Sequence, residues 1–107
     1  MELKELLHFI DIQDQRLIKR FGSNSPTQQQ RILARTVKLS EELGELCAEV
    51  LASQGDQRKE KLDQFSQDNL SIECADVIIT TLLLAKSLDV DYRASASTKN
   101  RDSQQTI

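Results

Sequence analysis

Two short acidic phrases set inside apolar helical sequence, Glu41-Glu42-Leu43-Gly44-Glu45 and Glu73-Cys74-Ala75-Asp76, constrain this chain more than anything else in it. Each repeats a carboxylate at i and i+3, so each pair falls on one face of a helix. Around Asp76 stand Ile72, Val77, Ile78, Ile79, Leu82, Leu83 and Leu84, and a helix so apolar around its circumference is expected to be buried. Carboxylates carried into such surroundings need a compensating cation.

The rest of the chain also reads as helix. Only three Gly and one Pro punctuate it, and no stretch alternates apolar with polar residues long enough to argue for a strand. A first helix is expected from about Glu2 to Phe21, with Leu3, Leu6, Leu7, Ile10, Leu17 and Ile18 on its inner stripe and Gly22 as its stop. Ser25-Pro26-Thr27 is a natural start for the second, which runs to about Ser53 with Ile32, Leu33, Val37, Leu39, Leu43, Leu46, Val50 and Leu51 at helical spacing, and Gly55 ends it. Residues 56–68 are polar apart from Leu62 and Phe65 and read as a linker. A third helix spans Asn69 to Leu88. The tail from Ala94 to Ile107 has almost nothing to bury and is expected to be disordered, so the domain proper is 1–93.

With 107 residues, 38% of them hydrophobic, there is one domain whose core is thin for a monomer. The expected fold is therefore all-α: an antiparallel helical bundle of three main helices plus a short C-terminal segment, with a four-helix-bundle-like core completed by self-association into a homodimer or homotetramer. A net charge of -3 and four aromatics offer neither a basic footprint nor a stacking platform, which argues against a nucleic-acid polymer as partner. The longest apolar run, Val77 to Ala85, is interrupted by Thr80 and Thr81 and is too short for a bilayer, and Met1-Glu2-Leu3-Lys4-Glu5 lacks the layout of a signal peptide. A cytoplasmic protein is expected, with Cys47 and Cys74 as reduced core thiols.

On a helical wheel, Glu42, Glu45 and Glu49 form a stripe bordering Leu39, Leu46 and Val50, while Glu73 and Asp76 share one sector between Val77 and Leu84 on one side and Ile72, Ile79 and Leu83 on the other. Alone, the first stripe reads as a solvated face. The second cannot face water without exposing the Ile and Leu beside it, so packing the two helices together gathers four carboxylates. No basic residue lies between Glu41 and Gln57, and an all-oxygen set suits a hard divalent cation, Mg2+ or Mn2+, where imidazole and thiolate would suit Zn2+. The single histidine, His8, sits on the first helix as a surface or core residue. The Glu-x-x-His motif of a di-iron bundle is absent.

Glu41-Glu42-x-x-Glu45 followed by Glu73-x-x-Asp76, with 27 residues between the two halves, resembles the EExxE and ExxD signature of the MazG-like all-α nucleoside triphosphate pyrophosphohydrolases, a group that includes all-α dUTPases and dCTP pyrophosphatases. The flanks Val37-Lys38-Leu39-Ser40 and Asp76-Val77-Ile78-Ile79 look similar, and the resemblance covers roughly residues 31–91. It implies Mg2+ ligands at Glu42, Glu45, Glu73 and Asp76, with Glu41 assisting the attacking water or a further metal. The implied reaction splits a nucleoside triphosphate between its α and β phosphates, a house-cleaning activity on a deoxy or modified nucleotide. Lys99 stands where similar proteins carry a phosphate-contacting lysine. The Asn and Arg that usually follow at wider spacing here sit directly after it as Asn100 and Arg101.

One pattern is visible without the family. Arg31, Arg35, Lys38, Glu42, Glu45 and Glu49 follow one stripe, bases first and acids second, against the preference of the helix dipole. Arg35 and Lys38 lie about 10 Å and 6 Å along the axis from Glu42, which suits phosphates extending away from a cation. The other use for such bases is pairing with acids of a neighbouring helix or subunit. A reading from a different class, a non-enzymatic helical interaction module whose acidic stripes meet a basic partner, differs from the enzyme in needing no divalent ion.

Overall fold

The computed structural model describes residues 1–20, 27–54 and 67–105, and these form four helices with no strand among them. In chain order they are α1 (Leu3–Arg20), α2 (Gln28–Gln54), α3 (Gln67–Leu88) and α4 (Tyr92–Gln105). No helix among the described residues is long and apolar enough to cross a membrane. The ends of the first three fall close to those expected. Phe21, Gly22, Ser25, Pro26, Gly55 and most of the expected linker lie outside the described residues.

Local hydrogen bonding sets the visible ends. The Gln30 N–H donates to Thr27 Oγ1 at 3.1 Å and the Thr27 N–H to Gln30 Oε1 at 2.9 Å, a reciprocal capping box that starts α2. At the end of α3 the Asp89 N–H donates to the Lys86 carbonyl at 3.2 Å and the Val90 N–H to the Ala85 carbonyl at 3.3 Å, closing the helix through a left-handed residue. Asp89 fills that position with φ of 55°, a conformation that favours glycine. Two residues on, Asp91 caps α4, its Oδ1 accepting from the Ala94 N–H at 3.0 Å.

That cap corrects the expectation of a disordered tail. Residues 94–105 are helical, yet every side chain from Arg93 to Ser103 is exposed. The helix forms without a buried face because Asp91 satisfies its first turn and no Gly or Pro interrupts it.

α2 and α3 are the principal packing pair, and α1 lies against α3. The pair is antiparallel: Gln28 Nε2 at the start of α2 donates to the Ser87 carbonyl at the end of α3 at 3.1 Å, while Glu42 meets Glu73 and Asp76 farther along. Lys86 Nζ ties α3 to α1 at 2.7 Å from Asp11 Oδ1, and that hydrogen bond is the main reason the lysine's pKa is raised.

The interior is inverted relative to an ordinary helical domain. Among the described residues the buried polar side chains are Asp14, Arg35, Glu42, Thr80 and Ser87, against Ile10 as the buried apolar one. Side chains expected in the core stand outside instead: Leu3, Leu33, Val37, Leu43, Val50, Leu51, Ile72 and Ile78 are all exposed. So are the free Cys47 and Cys74, which corrects their reading as core thiols. The reason is geometric. α2 and α3 turn Arg35, Glu42, Asp76 and Ser87 toward each other, and no described element covers the apolar residues on their outer faces.

Candidate metal centre

Facing each other across the α2/α3 interface are Arg35, Glu42 and Glu49 from α2 and Glu73, Asp76, Thr80, Leu83 and Ser87 from α3, spaced so that successive turns bring a new group to the interface. Midway along, one carboxylate oxygen from each of Glu42, Glu73 and Asp76 lies within 4.8 Å of the other two. Glu42 is buried, and Glu73 and Asp76 are half-buried. Oε2 of Glu42, of Glu73 and of Glu49 is withdrawn from solvent without a hydrogen-bond donor. Each such oxygen costs the desolvation that a donor or a cation would offset.

Crowding of charge shows in the Glu73 carboxyl, whose pKa is raised above the usual glutamate value first by desolvation and then by the charges of Glu45, Asp76, Glu42 and Glu49. Lys38 supplies cationic charge at the rim, its Nζ 3.1 Å from Glu42 Oε1 and 3.9 Å from Glu41 Oε2. The hydrogen bond to Glu42 raises the lysine's pKa. It reaches the outer oxygen of Glu42 and leaves the inner one unsatisfied. Thr80 does not help, because its hydroxyl donates to the Asp76 main-chain carbonyl at 2.7 Å. Orphaned, buried, all-oxygen donors of this kind fit a hard divalent cation.

Of the four ligands expected from the sequence, Glu42, Glu73 and Asp76 come together. Glu45 is exposed and outside that trio, but of the neighbouring charges acting on Glu73 its is the strongest, which sets it beside the cluster. Glu41 is exposed at the rim next to Lys38. Lys99 lies on exposed α4, beyond the end of α3, and Asp76 stands twelve residues, about 18 Å, before that end.

Arg35 has a different place. Its Nη1 donates to Asp14 Oδ1 at 2.7 Å, to the Leu83 carbonyl at 3.0 Å and to Ser87 Oγ, joining α1, α2 and α3 in one buried strut. This is the pairing with a neighbouring helix that formed the other reading of the basic stripe. Two participants carried no assignment from sequence. Glu49 sits four residues after Glu45 on the acidic stripe, and Asp14 sits between Ile10 and Leu17 on the inner stripe of α1, so the signal for each was its place on an inward face.

Compared with protein-family models, with characterised proteins and with solved structures, the chain shows no match.

Proposed function

We propose that this chain is a divalent-cation-dependent nucleoside triphosphate pyrophosphohydrolase of the MazG-like all-α type, working in the cytoplasm on a deoxy or modified nucleotide. The observation that carries the reading is the trio Glu42, Glu73 and Asp76, with buried donorless oxygens on two of its members. These three hold Mg2+, or Mn2+ in its place, with Glu45 and Glu49 adjoining. When bound, such a cation neutralises phosphate charge and lowers the pKa of a water.

The chain's own groups do the remainder. Lys38, 59% exposed at its side chain, swings from Glu42 to a phosphate oxygen and orients the triphosphate. Glu41, equally exposed beside it, accepts the proton of the water that attacks the α-phosphorus. The bond from that phosphorus to the β-phosphate oxygen breaks, and pyrophosphate leaves with the electron pair. Arg35 serves this chemistry indirectly, by fixing the α2/α3 pair on which the ligands stand.

Self-association into a homodimer or homotetramer belongs to the same reading. Large apolar side chains stand exposed on α2 and α3, among them Leu33 and Val37 at 58%, Leu51 at 71% and Ile72 at 57%, and a second copy would cover such residues.

Thermal melts with Mg2+ and with EDTA, alongside pyrophosphate release from a panel of standard and modified triphosphates, test the proposal. Mg2+ is expected to stabilise the fold by about 2.7 kcal/mol at a hundredfold excess over Kd. An unchanged melt together with no pyrophosphate from any triphosphate would transfer the acidic stripes to the interaction-module reading.

A further inference from the structure

We propose that the cleft among α1, the end of α3 and the start of α4 binds a mononucleotide, its phosphate held between α1 and α4 and its base seated on an apolar floor beside Tyr92. Two adjoining cavities form the cleft, an inner one of about 300 Å³ and an outer one of about 520 Å³, with Leu7, Asp11 and Arg93 lining both. Both volumes fall in the range of small-molecule sites. The inner cavity reaches Ile10, the buried apolar side chain of the described residues at 3% exposure, with Leu82 and Ala85 half-buried beside it. Tyr92, the one tyrosine of the chain, is half-buried at the same cavity and supplies an aromatic ring for stacking.

Charge is sorted between the two cavities. The outer one is lined by Lys4, His8 and Arg93, and its acid, Asp11, is already held by Lys86 at 2.7 Å. Lys4, His8 and Arg93 form no ion pair among the described residues, so this rim keeps uncompensated positive charge in a chain whose net charge is -3. Lys4 and His8 stand one turn apart on α1, and Arg93 lies in the first turn of α4, where the helix dipole also favours an anion. The inner cavity adds Asp89, which forms no ion pair among the described residues and occupies a left-handed position, φ 55°, that glycine would fill without strain. A carboxylate there accepts hydrogen bonds from the amino or imino groups of a base.

A mononucleotide answers each of these features, with a phosphate for the rim, a flat ring for the floor and Tyr92, and N–H donors for Asp89. Inorganic phosphate leaves the floor empty, and a fatty-acid anion lays a chain without donors against a carboxylate. The cleft is separate from the metal centre, since Ala85 lies about 180° round α3 from Asp76 and about 14 Å along it.

NMR titrations of the EDTA-stripped chain, following the backbone signals of Leu7, Ala85, Tyr92 and Arg93, test the site with the four common ribonucleoside 5′-monophosphates, inorganic phosphate and octanoate. At least one nucleotide is expected to shift those signals saturably and to bind at least about tenfold more tightly than phosphate or octanoate. Arg93→Glu, at an exposed position where an acid suits the helix dipole, is expected to keep its helical circular dichroism and to weaken that nucleotide by at least about tenfold. Lys4→Glu reads the same loss from α1. Asp89→Asn keeps a side chain that tolerates positive φ and is expected to weaken the nucleotide while leaving phosphate unchanged. The absence of a saturable shift with any nucleotide overturns the site, as does a response confined to Lys38, Glu42 and Asp76. Phosphate binding as tightly as every nucleotide overturns the base's part in recognition, and octanoate binding more tightly than every nucleotide overturns the ligand class. No turnover and no cation enter the measurement, so its failure leaves the pyrophosphohydrolase reading where it stood.

Discussion

Arg35 and Asp14 meet at 2.7 Å near one end of the α2/α3 pair, whereas two turns away Glu42, Glu73 and Asp76 crowd together with Lys38 at their rim. Both places bury charge between the same two helices. At the first the chain supplies both signs and adds bonds from Arg35 Nη1 to Leu83 and Ser87, although Nη2 of the same guanidinium is buried without an acceptor. At the second it supplies acids and leaves the inward oxygens without donors. Charge paired from within holds helices together, and charge left for an outside cation makes a site. The contrast is what turns a cluster of acids into a functional proposal, because the same interface shows that a buried countercharge was within this fold's reach.

The largest effect is expected at the paired end. Asp14→Ala leaves the Arg35 guanidinium buried with one hydroxyl and one carbonyl for partners, and breaking a buried pair in this way costs about 3–5 kcal/mol. Urea unfolding should show that loss with or without Mg2+. Replacing both partners, as Asp14→Leu with Arg35→Met, should recover most of it, since apolar groups of similar volume need no countercharge. A double variant as unstable as the single one would mean that the strut specifies the packing of α1, beyond compensating a charge.

At the unpaired end the effect falls on activity. Asp76→Asn keeps the volume and removes one negative charge, so the metal-free variant should be at least as stable as the parent. With Mg2+ the order should reverse, and pyrophosphate release should fall by at least about a hundredfold, equivalent to about 2.7 kcal/mol of transition-state stabilisation. Paired melts and a pyrophosphate assay read both. Turnover close to that of the parent would remove Asp76 from the site, and unfolding without metal would make its carboxylate structural.

How far these two regions could be read in the sequence follows from what each depends on. The acidic centre was legible because both its halves are local: i, i+3 spacing fixes the face, and the apolar surroundings of Glu73 and Asp76 force that face inward. The strut was not, because Arg35 stands 21 residues from Asp14 and its stripe of bases is equally suited to phosphates and to a neighbouring helix. α4 escaped notice for the opposite reason. Its stability is local chemistry, the Asp91 cap after the Asp89 turn, and carries no apolar periodicity to read. Periodicity located the apolar positions of α2 and α3 but could not distinguish a face that the chain covers from one that it leaves exposed, so Leu33, Val37 and Ile78, expected in the core, stand exposed.

The smallest expected effect is the most direct reading of the contrast, since it needs no substrate. In EDTA the Glu73 carboxyl has a folded-state pKa above its ordinary value of 4.5, raised by desolvation and by the surrounding Glu45, Asp76, Glu42 and Glu49. Below 4.5 the group is protonated whether the chain is folded or not and leaves stability unchanged. As the pH rises past that value the unfolded chain gives up its proton first, so this group's contribution to folding falls until the pH has passed the raised folded value. Glu73→Gln cannot titrate, and its stability curve from about pH 4 to about pH 8 in EDTA should lack that fall while otherwise following the parent. Mg2+ should reverse the parent's slope, because a cation binds deprotonated carboxylates and gains affinity as they ionise. Denaturant titrations across that range decide it. Parent and Glu73→Gln curves that run parallel in EDTA would show that Glu73 is compensated within the chain, and the two ends of the α2/α3 interface would then be alike.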